Sequence, residues 1–166
     1  MSGCVKLVEL NPLVDKGKSE CLNEDDDHTW LNVIEESATG ELKSDCDEQL
    51  ILRVEFTQPV KLHSLVIDSG CDAEQAPKEI RLFANEYSPL SFDDAEQRNS
   101  TQDFDLSFDE LSKPIEVRFV KFQKVNNLTV FFKNNQGDQD VTSMSKVKFI
   151  GSPIATTNMN ELKKVG

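Results

Sequence analysis

The segment Gln49 to Phe56 reads QLILRVEF, with Leu50, Leu52, Val54 and Phe56 on one alternate set of positions and Ile51, Arg53 and Glu55 on the other. Only an extended strand places residues i and i+2 on one side, so this pattern requires a sheet with a buried face. Pro59 is expected to end the run, since proline cannot donate to a strand ladder.

Other segments repeat the period of two. Val60 to Ser69 begins with Val60 and Leu62 in phase and then places Leu65, Val66 and Ile67 consecutively. A bulge near His63 and Ser64, or a central strand covered on both faces, accounts for that shift. Pro77 precedes a strand at Glu79 to Ala84, and a last strand at Lys146 to Ile150 is closed by Gly151 and Pro153. Ile115 to Val125 and Leu128 to Lys133 read as a hairpin, because Asn126-Asn127 tolerates the positive φ of a tight turn. Helical signals are short: a turn or two at Thr29 to Glu36, and a capped start at Ser91 followed by Asp93 and Asp94. Short strands without alternating helices predict an all-β sandwich or barrel.

The chain has 166 residues, which suits one domain over 1–153 with a flexible tail over 154–166. Its 37% hydrophobic content, including ten Phe, is enough to build a core. Thirty acidic residues against 18 basic give a net charge of -12, which repels phosphates and argues against nucleic acid as a partner. The charge is uneven: residues 1–110 carry 26 acids against 9 bases, and 111–166 carry 4 against 9. The acid collects in the long inter-strand segments Asp15 to Glu48 and Glu86 to Glu110, the kind of loop on which binding residues concentrate.

Met1 to Leu10 lacks the apolar core of a secretory signal, and no span approaches the roughly 20 apolar residues of a membrane crossing. A cytoplasmic monomer with access to the nucleus is expected. Cys4, Cys21, Cys46 and Cys71 lie 17, 25 and 25 positions apart, so no C-x-x-C unit exists, and reduced, inert thiols are expected.

No catalytic constellation emerges. His28 and His63 are the only histidines, no G-x-S-x-G elbow surrounds a serine, and no Gly-rich loop fits a phosphate cradle. Asp25-Asp26-Asp27 with His28 lacks the glycine and distal glutamate of a calcium loop, so a solvated loop is expected there and no cofactor or metal. Trp30, the single tryptophan, fits either an exposed anchor for a partner or a plug at one end of the sandwich, and its size favours the core. The Phe-rich stretch Phe119 to Phe132 is assigned to the core as well. On a strand, Arg118 and Lys124 share one face and Lys121 the other, so no basic stripe is implied. Leu162, Lys163, Lys164 and Val165 form either a docking peptide that orders on binding or a frayed end, the latter being the default.

Several blocks together resemble a known family: CLNE at Cys21 to Glu24, SDCDEQLIL at Ser44 to Leu52, PKEIRLFAN at Pro77 to Asn85, VKFQKVNNLTVFF at Val120 to Phe132 and KFIGSP at Lys148 to Pro153. In this order they look like the PITH domain, the proteasome-interacting thioredoxin domain. The resemblance implies a jelly-roll β-sandwich similar to galactose-binding domains, and association with the regulatory particle of the 26S proteasome. Several family members carry a thioredoxin domain ahead of the module. This chain begins almost directly with the module, as a stand-alone member would, and has no C-x-x-C, so reductase activity is not carried over. The expectation is a non-enzymatic module that binds a protein assembly through Asp25, Asp26, Asp27 and Trp30, or through Leu162, Lys163 and Lys164. The alternative is a small-ligand or carbohydrate-binding sandwich using Trp30 or Tyr87 at a loop end.

Overall fold

A computed structural model describes residues 6–154 of the chain. In order, these run through β1 (Val8–Glu9), β2 (Glu20–Leu22), helix α1 (Leu31–Ile34), β3 (Leu42–Lys43), β4 (Leu50–Asp68), β5 (Glu79–Ala84), helix α2 (Phe92–Gln97), β6 (Gln102–Asp105), β7 (Ile115–Glu116), β8 (Val125–Phe132), β9 (Ser143–Met144) and β10 (Lys146–Pro153). The main antiparallel sheet has the order β1-β10-β4-β8-β5-β6, with β2 and β7 also paired to β4, and β3 pairs β9 separately. The expected all-β sandwich is what forms.

Strand β4 organises the molecule. The two strands expected on either side of Pro59 are one element of 19 residues, so proline does not terminate it. Leu50 to Glu55 pair with β8, and Leu22 to Glu20 of β2 lie on the opposite edge against Ile51 to Arg53. Past the proline the partners change to β10 and β7. The β8 register breaks between Glu55 and Val60, which is where Pro59 lies and where a missing N–H costs no ladder bond. A strand that bends and exchanges partners in this way joins the two layers of a sandwich at a corner.

The bulge expected near His63 is present. Ile150 pairs with Ser64 and Gly151 with Leu62, leaving His63 unpaired in that ladder. The backbones approach so closely there that a Cβ on Gly151 would lie 1.9 Å from the carbonyl oxygen of Lys61. Beyond the bulge Leu65, Val66 and Ile67 are all buried, so this part of β4 is also covered on both faces.

The main core takes Leu50, Leu52, Val54 and Phe56 from β4, Ile80 and Leu82 from β5, Leu128, Val130 and Phe132 from β8, and Val147 and Phe149 from β10. Each such side chain withdrawn from water contributes roughly 1.5–3 kcal/mol. A second cluster on the other side of the sheet joins Ile51, Phe83 and Phe131 to Leu90 and Ala95. Helix α2 covers it, and Phe92 packs edge-on against Phe131 at 6.3 Å. The helix starts where the sequence predicts, in a capping box of Ser91 and Asp94.

The expected hairpin at Asn126-Asn127 does not form. Both asparagines lie inside β8, which runs between β4 and β5, and Asn127 pairs with Glu55. The preceding segment is not a partner strand but a short β7 followed by a tight 3-10 turn, Phe119–Lys121.

Helix α1 is held from outside. The side-chain amide of buried Asn11 donates to the carbonyl oxygens of Ile34 and Val147, at 3.0 and 2.9 Å, and its oxygen accepts from the amide of Phe149. The ammonium of Lys146 donates to the carbonyl oxygens of Glu35, Ala38 and Asn32 at 2.7, 3.1 and 3.4 Å. A cation at a helix C-terminus satisfies carbonyls that the four-residue helix cannot.

Candidate partner-binding surface

The acidic run forms a tight turn clamped to β3. The amide of Asp25 donates to the Lys43 carbonyl and the Lys43 amide to the His28 carbonyl, while the His28 amide closes the turn on Asp25 at 2.9 Å. Asn23, at φ 69°, braces its base: the side-chain amide donates to the Gln49 carbonyl and to the carboxylate of Asp47. Nδ1 of His28 donates to Oδ2 of Asp25 at 2.6 Å, and this hydrogen bond is the main reason the Asp25 carboxyl is held below its ordinary range. Asp26 and Asp27 point to solvent. The three carboxylates therefore do not converge, and among the described residues no three His, Cys, Asp or Glu side chains gather as a metal cluster.

Of the two expectations for Trp30, the core one holds. The residue is 7% exposed and belongs to the main core cluster together with Val33, Ile34 and Leu42, so it offers no surface anchor. Its amide donates to the Glu24 carboxylate, whose pKa burial raises. Leu162, Lys163 and Lys164 lie outside the described residues.

A different surface stands out at the end of the sandwich where β5 leaves the sheet and β8 enters it. Tyr87 is fully exposed, Val120 is 81% exposed and Phe119 is 52% exposed. Hydrogen bonds lock the segments that carry them together. Asn85, at φ 61°, donates to the Lys124 carbonyl at 2.9 Å and accepts from the Asn126 amide at 2.7 Å. The Glu86 amide donates to the side chain of Asn127 at 3.0 Å. The Arg118 amide donates to the side chain of Gln102, and the Lys121 ammonium reaches the Thr101 carbonyl.

Two sequence expectations fail at this surface. Phe119 and Val120 are not core, although Phe122 and everything apolar from Val125 to Phe132 is. Nor do Arg118 and Lys121 divide between two strand faces: in the 3-10 turn and its cap the whole run Arg118 to Lys121 is exposed, with Lys124 exposed just beyond. None of these three cations is paired with a carboxylate among the described residues. The signal that could have found this surface is the three-residue spacing of Arg118, Lys121 and Lys124, which matches a 3-10 turn better than a strand.

The clefts are lined differently. One, of about 760 Å³, lies between Glu9, Asn11, Pro12, Lys16 and Ile34 to Ser37, with Lys16 paired to Glu35 across it. Another, of about 480 Å³, is lined by Arg81, Asp103, Glu79, Lys133 and Glu96 in mutual ion pairs. Among the cysteines, Cys21 is half-buried and its thiol is pushed well up by burial. Cys71 is exposed, yet its thiol is also raised, by a hydrogen bond and the negative charge of Glu41.

Solved structures of low sequence identity share the architecture. A family 32 carbohydrate-binding module from Clostridium perfringens NanJ, solved with galactose, aligns with a TM-score of 0.65 over 87% of this chain and 99% of its own, at 8% identity. Module 3 of that family from a Clostridium perfringens family 31 glycoside hydrolase aligns at 0.59 over 86% of this chain and 97% of its own, at 12% identity. These likenesses concern the fold. At the sequence level, the chain is 36% identical over 160 residues to thioredoxin-like protein 1 of Schizosaccharomyces pombe, covering 94% of this chain and 55% of that protein. It is 36% identical over 151 residues to PITH domain-containing protein 1 of Danio rerio, covering 86% of this chain and 68% of the relative. No helix among the described residues is long and apolar enough to cross a membrane. The family model of the PITH domain matches residues 4–166, and with these relatives it shows that the chain belongs to the PITH domain family.

Proposed function

We propose that this chain is a non-enzymatic protein-interaction module that docks onto the regulatory particle of the 26S proteasome through the Tyr87, Phe119 and Val120 end of its sandwich. The observation that carries the reading is the exposure of these three large side chains, on loops held together by hydrogen bonds. Large apolar groups grouped on a firm surface are typical of protein contacts, where a few buried anchors supply most of the binding energy. Family membership supports the choice of partner, as does the likeness to a thioredoxin-like protein. The module acts in the cytoplasm and nucleus, where that assembly resides.

Purified regulatory particle retained on the immobilised chain at low and moderate salt is the expected result. Absence of retention at both salts contradicts the choice of partner.

A small-ligand reading has the fold likeness behind it, since the module from NanJ was solved with galactose. Sandwich folds host many functions, and function must be argued from the site. Here the cations lining the two clefts are already paired, Lys16 with Glu35 in one and Arg81 and Lys133 with Asp103, Glu79 and Glu96 in the other, which leaves fewer of them to orient a sugar.

A further inference from the structure

The end of the sandwich carrying Tyr87, Phe119 and Val120 also carries a charge opposite to that of the rest of the domain. Residues 117–124 hold Arg118, Lys121 and Lys124 and no acid, within a chain of net charge -12. Arg118, Lys121 and Lys124 are exposed and border the exposed apolar pair Phe119-Val120. We propose that this surface binds an extended acidic segment of a partner protein that carries large apolar side chains, and the proposal rests on the protein-interaction reading above.

Three observations select that occupant. First, electrostatic complementarity sets orientation: an acidic segment is repelled by the domain's acidic faces and attracted here, whereas a basic partner would be drawn to many places at once. The exposed Asp26 and Asp27 at the acidic turn are one such competing place for a basic partner. Second, the apolar side chains stand between the cations, so a bound segment must alternate charge with bulk: its carboxylates pair with Arg118, Lys121 or Lys124, and its apolar groups cover Phe119, Val120 and Tyr87. Third, the surface is built in advance. Asn85 ties the Tyr87 loop to Lys124 and Asn126, Gln123 donates to the Phe119 carbonyl at 2.8 Å, and Gln102 holds the Arg118 amide at 2.7 Å. A surface fixed before binding loses little conformational freedom when it is covered.

An anionic lipid surface is a poorer fit. Membrane recognition uses roughly four to eight clustered cations beside a spanning or amphipathic helix. The helices here are four and six residues long, and the net charge of the domain opposes anionic lipid.

The test is selection of a random 16-residue peptide library displayed on phage against the full chain, with counter-selection against the double variant Arg118→Glu, Val120→Asp. Folding of the variant is checked by the emission of buried Trp30. If the variant unfolds, Lys121→Glu, Lys124→Glu replaces it, both positions being exposed. The expected outcome is enrichment of peptides with net negative charge and at least two large apolar residues. Their affinity should fall about tenfold or more in the variant, a loss of one hot spot, and weaken further as salt rises. Amide NMR shifts on peptide addition should cluster in 85–87 and 117–126. Enrichment of basic peptides, equal binding by the variant, shifts centred elsewhere or no enrichment overturns the proposal. So does concentration-dependent self-association that the variant abolishes, which would make a second copy the occupant, or capture of anionic vesicles lost in the variant. The selection uses no proteasomal component. Loss of regulatory-particle retention with a successful selection therefore overturns only the named partner, and the converse overturns only the acidic segment.

Discussion

The side-chain amide of Asn85 donates to the carbonyl oxygen of Lys124 at 2.9 Å, and through this bond the loop bearing Tyr87 is fixed beside the turn bearing Phe119 and Val120. Asn85 adopts φ 61°, a conformation that asparagine tolerates and most other residues with a β-carbon avoid. Asn85→Ala loses the bonds to Lys124 and Asn126 and adds backbone strain, so it should destabilise the fold by about 2 kcal/mol. Asn85→Gly relieves the strain but not the lost bonds and should recover part of the loss. Urea unfolding followed by Trp30 fluorescence measures both. Equal stability of all three proteins would contradict this role for Asn85.

Lys146 reinforces the C-terminal end of α1 beyond its Glu35 cap, with three carbonyl oxygens around one ammonium. Lys146→Met keeps most of the stem and removes the charge, and it should cost about 2 kcal/mol, as charged hydrogen bonds do. Hydrogen exchange should accelerate at 31–38 before it does in β8. Uniform acceleration across the molecule would contradict a local role.

At the β4 bulge, Gly151→Ala pushes a methyl group into the backbone carbonyl of Lys61. Because a backbone atom cannot rotate away as a side chain can, the strands must part, at a cost of about 1–3 kcal/mol. Calorimetry of the variant tests this, and an unchanged midpoint would show that the ladder yields without strain.

Cys46 and Cys71 are both exposed, and the thiol of Cys71 is raised, chiefly by the hydrogen bond to Glu41. The thiolate is the reacting species, so Cys71 should alkylate slowly at neutral pH despite its exposure. Glu41→Gln removes the negative charge and should accelerate iodoacetamide labelling of Cys71 several-fold while leaving Cys46 unchanged, as read by peptide mass spectrometry.

The Asp25 carboxyl is depressed by the hydrogen bond from His28. A group whose folded pKa lies below its unfolded value near 3.9 adds stability above that value and loses it as pH falls through the folded one. The acidic turn should therefore hold its shape down to pH values below about 4 and loosen under stronger acid. In His28→Ala the NMR titration of Asp25 should move upward, toward an ordinary carboxylate. An unmoved midpoint would remove His28 as the cause.

Period-two patterning made β5, the first half of β4 and the start of β10 readable from sequence, because each has a face in the main core. The capping box at Ser91 was readable because its bonds are local. Pro59 and Asn126-Asn127 misled because their local preferences are met by distant partners: Pro59 falls where β4 changes neighbours, and Asn126 and Asn127 bond to Asn85 and Glu86 across the sheet end. The candidate surface was hidden for the same reason. Phe119 and Val120 have core-like chemistry, and only the turn that replaces an expected strand turns them outward.

Hydrogen exchange of the chain alone and bound to the purified regulatory particle locates the docking surface segment by segment. New protection is expected at 85–87 and 117–126, with the acidic turn 25–28 unchanged. Protection confined to 25–28, with 117–126 exchanging as in the free chain, would contradict docking there.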